Sequence, residues 1–520
     1  MNQNATLNTL DVTGWRLRLL TSVQHSPIRH TLLSLLLGGL STLSFAPFYI
    51  WPIYLISVAY LFVLFQFAPN KRQAFKFGFA NALGMFGSGI SWIYVSIANF
   101  GQVGIPIAVG ITFGLIAVMS IYWGLLGTSF KACQNKLSSR FHIVLFCSLF
   151  LCFEWIRSWL FTGFPWLLPG YITEPSWLFE LLPVGGIWFV SAVCLISAAS
   201  LGHFFIQPTY RWLIVTGSLW LGAGALNYAP PAYVTPVEQH KTTLIQGNLA
   251  QDEKWLAENA GPSLAYYQQA TVNHLDSDLV IWPETAITYL LSQVEPYLES
   301  FSKELADSQT TLITGVPVWD KNQGTYYNSV WATGNGFGLY QKQKLVPFGE
   351  YIPLASWFGP VFDLFGMPMS QFSKGEANQP TLQAGELSIA PFICYEVVYP
   401  SLVRNMVRDS DVLLTISNDG WFGDSIGPLQ HLQIAQFRAK EAGRYMIRAT
   451  NTGVTAIIDE NGQITSELPQ FVRATLTGDI TTFSGNTPYV MWGNGILFAL
   501  MGLLWGFALL PNRKRSAAAE

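Results

Sequence analysis

The chain has 520 residues; half are hydrophobic, 15% are aromatic and only 11% are charged. Soluble globular proteins carry about 25% charged residues, so the whole chain is not an ordinary soluble enzyme. The net charge is −3, and no Lys/Arg-rich run points to nucleic-acid binding.

The charge is unevenly placed. Before Glu238 the only acidic residues are Asp11, Glu154, Glu174 and Glu180, and the other 27 of 31 follow. Two physically different regions are therefore joined. The first thirty residues lack the short apolar core and cleavage site of a signal peptide, so insertion is expected to use the first span itself. A helix needs about 20 apolar residues to cross a bilayer. About eight spans are predicted: Thr31–Phe48, Trp51–Phe67, Phe77–Ile97, Ile105–Gly127, Ile143–Phe161, Gly186–Ile206, Trp212–Tyr228 and Tyr489–Leu510. Basic clusters at Arg16/Arg18/Arg29, Lys71/Arg72/Lys76, Lys131/Lys136/Arg140, Arg211 and Arg513/Lys514/Arg515 then all fall on one side. By the positive-inside rule that side is the cytoplasm. Both termini would be cytoplasmic, and the long segment between the seventh and eighth spans would lie in a bacterial periplasm. The expected parts are a helical membrane region over 1–228, an exported domain over 238–485, a last span over 489–510 and a tail over 511–520. Glu154 and Arg157, three apart in the fifth span, share a helix face and suit an ion pair. The aromatic loop Gly163–Gly185 is expected to lie flat at the outer interface.

The exported segment carries 26 acidic and 14 basic residues. Apolar strands are predicted at Thr242–Ile245, Leu279–Trp282, Thr311–Thr314, Ile389–Ile393, Val412–Ile416 and Val454–Ile458. Helices are predicted at Ser263–Leu275, Pro296–Leu305 and Pro428–Ala442. Such alternation predicts a layered α/β domain. Of five cysteines, Cys394 alone lies here, at the end of a strand. A lone thiol is most often core, but strand ends are where α/β folds present reactive groups. Glu284 ends another strand, in Trp282-Pro283-Glu284. Lys342 and Lys344 precede Pro347-Phe348-Gly349-Glu350. A thiol needs a base and its oxyanion needs a cation, which Glu and Lys supply without histidine. Spacing does not choose between the two lysines, since both would face one side of a strand. His431 opens a predicted helix with no second histidine at ligand spacing, so no metal is expected.

Four strings occur in order: Trp282-Pro283-Glu284; Lys342 with Pro347-Phe348-Gly349-Glu350; Ile393-Cys394-Tyr395-Glu396; and Ser417-Asn418-Asp419-Gly420-Trp421-Phe422. They resemble the nitrilase superfamily. With the spans, the whole chain resembles the bacterial apolipoprotein N-acyltransferases. The resemblance implies an αββα sandwich on a membrane anchor in the inner membrane. It also implies transfer of a fatty acyl chain from a phospholipid to the amino-terminal, diacylglyceryl-modified cysteine of an apolipoprotein, through a cysteine thioester. Glu284 is implied as base, Lys342 as stabiliser of the tetrahedral intermediate and Cys394 as nucleophile. Lys342 is preferred because the family lysine stands eight residues before the glutamate of the Pro-Phe-Gly-Glu string. Glu350 is implied to position the lysine, and the Tyr395 N–H to help hold the oxyanion. Glu396, Asn328 and Trp255 match supporting positions. No cofactor is expected, and a monomer is. The apolar stretch Trp357–Met369 is read as a lid touching lipid, whose function Trp357→Ser and Phe362→Ser would impair. A membrane-tethered amidase and a transporter with an exported domain are the alternatives; only the acyltransferase would form an acyl adduct on Cys394 from phospholipid.

Overall fold

A computed structural model describes residues 14–101, 104–347, 349–351 and 372–509. The lid segment Trp357–Met369 lies outside the described residues.

The first half is helical: α1 (Trp15–His25), α2 (Pro27–Leu40), α3 (Pro52–Phe67), α4 (Lys71–Gly89), α5 (Ile93–Phe100), α6 (Ile105–Gln134), α7 (His142–Arg157), α8 (Leu182–Ile206) and α9 (Arg211–Tyr228). By length and apolarity, the helical runs Ile105–Gln134 and Trp177–Ile206 suffice to cross a membrane. The predicted span Phe77–Ile97 is instead two helices. Asn70 starts α4 early by accepting from the Gln73 N–H at 2.9 Å, a side-chain cap. A turn at Ser91–Trp92 then separates α4 from α5. An unbroken apolar run conceals such a turn. Large apolar side chains stand exposed on the outer faces, among them Leu32, Leu36, Phe113, Ile214 and Leu221. Water-facing helices carry polar residues there.

The expectation for Gly163–Gly185 is corrected. This segment forms two short 3-10 turns, Pro169–Thr173 and Trp177–Leu181, and is largely buried, Trp166, Leu168 and Tyr171 almost completely. Trp166 and Tyr171 are covered by protein, while Trp177 is 42% exposed. One covering element is α13 (Gly427–Ala442), which is buried along nearly its whole length.

Among the described residues the second half contains twelve strands: β1 (Val234–Gln246), β2 (Leu279–Ile281), β3 (Thr311–Asp320), β4 (Thr325–Gly334), β5 (Gly336–Gln341), β6 (Leu382–Ala384), β7 (Leu387–Ile393), β8 (Val412–Ser417), β9 (Met446–Thr450), β10 (Thr455–Ile458), β11 (Ile464–Leu468) and β12 (Ala474–Gly485). They hydrogen-bond in the order β11-β10-β9-β8-β7-β6-β5-β4-β3-β2-β1-β12. β5 pairs β4 through Gly338–Gln341 and β6 through Gly336–Phe337, so it passes from one half of the ladder to the other. Each half has a parallel centre, β1/β2/β3 and β7/β8/β9, flanked by antiparallel strands. The halves meet face to face: the Gln246 side chain of β1 accepts from Thr455 Oγ1 at 2.5 Å. Helices α10 (Ala257–Val272) and α11 (Leu291–Asp307) cover one outer face through Leu264, Tyr267, Leu298 and Leu305. Helices α12 (Pro400–Val407) and α13 lie with the other half, whose core runs on into the helical region. Helices α14 (Pro488–Trp492) and α15 (Gly495–Leu509) end the described chain. The six predicted strands all coincide with observed ones. The missed six, β4, β5, β6, β9, β11 and β12, are short or rich in Thr, Gly and Tyr, without the apolar run that marks a buried parallel strand.

Candidate active site

The parallel strands deliver their carboxyl ends to one place. β2 ends at Ile281, and the chain passes through fully buried Trp282, whose indole N–H donates to Thr271 Oγ1 at 2.9 Å. Burying such a side chain contributes about 1.5–3 kcal/mol and fixes where the next residues emerge. Glu284 follows, only 7% exposed. The next residue, Thr285, has φ 45°, a left-handed backbone that costs a β-branched residue free energy. Buried Lys254 holds this turn: its Nζ donates to the Glu284 carbonyl at 2.8 Å and to Thr285 Oγ1 at 2.7 Å. Burial pulls the Lys254 amine down to about 8 against the opposing pull of Glu284.

The Glu284 carboxylate is fully engaged. Oε1 accepts from Asn328 Nδ2 at 2.8 Å and lies 3.5 Å from Lys342 Nζ; Oε2 accepts from the Asn418 backbone N–H at 2.9 Å. Lys342 leaves the end of β5 and is 1% exposed. Its Nζ donates to Glu350 Oε1 at 2.9 Å. Asn328 Nδ2 also reaches Glu350 Oε1 at 3.2 Å, and Glu350 Oε2 accepts from the Val346 N–H at 2.9 Å. Two carboxylates thus share one ammonium and one amide. Burial would push the Lys342 amine down, but Glu350 and then Glu284 and Cys394 hold it above the usual lysine range, so it is a cation. Lys344 points elsewhere, with its Nζ over the Tyr399 ring at 5.4 Å.

Cys394 follows β7 and opens a 3-10 turn, Cys394–Val398. Its φ is 52°, so the thiol sits on a sharp left-handed corner. Burial pushes this thiol well above its usual range; Glu284 adds to that and Lys342 opposes it. Burial and Glu284 thus favour the protonated thiol over a thiolate. Glu396, fully buried, ties the corner to the lysine strand. Its Oε1 accepts from the Gln343 and Lys344 N–H groups at 2.6 and 3.0 Å, and its Oε2 from the Ile393 N–H at 2.9 Å. Burial raises its carboxyl to about 7, with the Ile393 N–H pulling the other way. Tyr395 points toward the helical half. Its hydroxyl donates to the Gly163 carbonyl at 3.0 Å, and its ring stacks on Trp166.

The fold therefore gathers Glu284, Lys342, Glu350, Asn328, Cys394 and Glu396, and links Tyr395 to the loop beside them. Trp255 is not among them: it is 49% exposed on the turn before α10, and among the described residues no hydrogen bond joins it to the cluster. The sequence reading passed over Lys254, although it stands beside Trp255, because no spacing marks a buried lysine. It also passed over the Asn418 N–H, since a backbone donor leaves no trace in side-chain identity. His431, 37 residues beyond Cys394 in sequence, lies at its carbonyl: Nε2 is 3.2 Å from Cys394 O.

Glu154 and Arg157 form a buried ion pair near the end of α7. Glu154 Oε1 also accepts from Trp123 Nε1 at 2.7 Å, and Arg157 donates to the Phe164 carbonyl. The pair braces the loop on which Tyr395 docks.

Comparison with known proteins adds the family context. Residues 37–200 match the family model described as the apolipoprotein N-acyltransferase N-terminal domain, and residues 241–487 match carbon-nitrogen hydrolase. The chain is similar to the apolipoprotein N-acyltransferase of Pseudomonas syringae pv. tomato, at 42% identity over 93% of this chain and 97% of that one. The Azotobacter vinelandii protein of the same name is 42% identical over 94% and 96%, and that of Vibrio vulnificus 37% over 92% and 96%. Among solved structures, Saccharomyces cerevisiae Nit3 overlaps 54% of this chain and 98% of its own at 16% identity and a TM-score of 0.35, too loose to bear on function.

Proposed function

This chain belongs to the apolipoprotein N-acyltransferase family, and on that premise we propose how its residues carry out the reaction. The enzyme transfers a fatty acyl chain from a phospholipid to the amino-terminal amine of the diacylglyceryl-cysteine of apolipoproteins. One observation carries the assignment of roles: the Lys342 ammonium is shared by the Glu284 and Glu350 carboxylates, with the Cys394 thiol in their field.

In the first step Cys394 Sγ attacks the ester carbonyl of the phospholipid while its proton passes to Glu284. The oxyanion formed is met by Lys342 and by the N–H of Tyr395. Collapse breaks the ester C–O bond, and the leaving lysophospholipid oxygen takes the proton from Glu284. A thioester remains. In the second step the amine of the apolipoprotein attacks the thioester, gives its proton to Glu284, and the C–S bond breaks. The sulfur recovers the proton. Glu350 and Glu284 keep Lys342 charged, and Asn328 bridges the two carboxylates through one amide nitrogen.

We further propose that the chain crosses the inner membrane eight times, seven in the helical first half and once after the sheet domain, with the sheet domain (238–485) in the periplasm and both termini in the cytoplasm. Apolar side chains exposed on α2, α6, α9 and α15 support a lipid surround, as does the one-sided distribution of Lys and Arg.

The test uses purified full-length protein in phospholipid vesicles without apolipoprotein. Mass spectrometry is expected to find a fatty acyl adduct on Cys394, lost on adding an apolipoprotein peptide and never formed by Cys394→Ala. An amidase would leave the thiol unmodified, and acyl transfer by Cys394→Ala would exclude that sulfur as nucleophile.

A further inference from the structure

Buried charge behind the nucleophile has no part in the scheme above. Asp419, His431 and Arg448 are each 1% exposed or less. Asp419 follows β8, His431 is on α13 and Arg448 is on β9. Arg448 Nη2 donates to Asp419 Oδ2 at 2.6 Å and lies 3.2 Å from His431 Nδ1, and Arg448 Nε donates to the Val454 carbonyl at 3.2 Å. Asp419 Oδ1 is 3.1 Å from His431 Nδ1. The remaining ring nitrogen, Nε2, is 3.2 Å from the Cys394 carbonyl, which can only accept.

Because the Cys394 carbonyl can only accept, Nε2 carries the proton it receives. Burial and then Arg448 depress the imidazole, against Asp419, and Nδ1 lies between Asp419 Oδ1 and Arg448 Nη2. Asp419 stays ionised: burial would raise it, but Arg448 and His431 hold it below its usual range. The ring is thus a locked Nε2–H donor aimed at the Cys394 backbone. Cys394 stands at φ 52°, a conformation its Cβ disfavours and which persists only where the surroundings hold it. The same turn also reaches the base, since Asn418, next to Asp419, donates its N–H to Glu284 Oε2.

We propose that His431 is a positioning residue for Cys394: locked by Arg448 and Asp419, it holds the Cys394 carbonyl through Nε2–H and so aims the sulfur, acting by orientation and not by charge. This rests on the reading of Cys394 as the acyl-accepting nucleophile.

The test compares two amides of unequal reach in the full chain. In His431→Gln the terminal NH2 reaches the place of Nε2, whereas in His431→Asn it reaches only that of Nδ1. Acylation of Cys394 is followed by mass spectrometry in vesicles of phosphatidylethanolamine, with wild type alongside. Misplacement by about 1 Å costs on the order of 100-fold in rate. His431→Asn is therefore expected to lower the maximal acylation rate about 100-fold with KM for the phospholipid unchanged, and His431→Gln to stay within about 10-fold of wild type. The pH midpoint for alkylation of Cys394 by iodoacetamide is expected to be the same in all three. The proposal is overturned if Gln and Asn are equally impaired, which marks a packing role, or if Asn acylates like wild type. A midpoint displaced in either variant by about one unit, the scale of a direct charge effect, also overturns it. Failure of wild type itself to acylate overturns the nucleophile assignment and this inference with it, an outcome separate from the others.

Discussion

Glu396 shows how much one buried carboxyl does here. It accepts from the backbone on both sides of the site, yet burial outweighs those donors and lifts it from 4.5 to about 7. Between those values the folded state binds more protons than the unfolded one. Its contribution to stability is therefore full below about pH 4.5 and lost as the pH rises through about 7. Glu396→Gln is expected to lower the apparent melting temperature at every pH, because an amide donor replaces one acceptor. It is also expected to flatten the fall in melting temperature between pH 4.5 and 7. Melting curves in detergent at four pH values check this; parallel curves for wild type and variant would contradict it. The two lysines make the complementary point. Strand alternation does not separate Lys342 from Lys344, but β5 ends at Gln341, and beyond it the chain turns. One amine then enters the carboxylate cluster and the other rests on an aromatic ring.

At the scale of elements, the site depends on strands approaching without intervening side chains. Gly315 of β3 lies against the turn that carries the base. A Cβ there would stand 2.3 Å from the Thr285 nitrogen and 2.8 Å from Glu284 Cα, both backbone atoms that cannot swing aside. Gly315→Ala is expected to displace Glu284 and slow acylation of Cys394 by on the order of 100-fold in protein that remains folded and membrane-extractable. A near-normal acylation rate in that variant would show that the turn yields without moving the carboxylate. The predicted β2, β3, β7 and β8 are largely buried on both faces, and their runs of Val, Ile and Leu announce them, whereas the equally buried β9 was missed because Arg448 and Thr450 break its run. β4 and β5 carry Asn328 and lead into Lys342, yet their Tyr, Thr and Gly content gave no apolar run to read.

For the molecule as a whole, α13 is the seam between the sheet domain and the helices. Its Gln430 accepts from Trp92 and Trp166, Gln433 donates to Glu174, and Lys440 pairs with Glu180. Glu441 accepts the Ile187 N–H at 2.6 Å, just after the left-handed Gly186 where α8 kinks. It also pairs with Arg438, which donates to Tyr171. Removing one partner of a buried ion pair costs about 3–5 kcal/mol, since the other charge is stranded. Glu441→Ala and Glu441→Gln are therefore both expected to lower the melting temperature and monodisperse yield in detergent, and a Glu441→Gln variant as stable as wild type would refute the ion-pair account. The seam explains why the loop Gly163–Gly185 is buried. Its Trp and Tyr residues meet α13 and Tyr395, and composition alone does not distinguish such a surface from one meeting lipid.

What the residues determined unaided were the properties carried by local pattern: the division into an apolar and a charged half, the long helices, the strands with continuous apolar runs, and the four strings that mark the family. Each depends on neighbours within about a dozen positions. What the tertiary structure alone decided were the long-range meetings: which lysine enters the cluster, that Lys254 and the Asn418 N–H grip the base, and that His431 stands behind Cys394. The contacts of Lys254, the Asn418 N–H and His431 join segments 30 to 134 residues apart. No periodicity records such distances, because only the packing of sheet against helix brings the partners together.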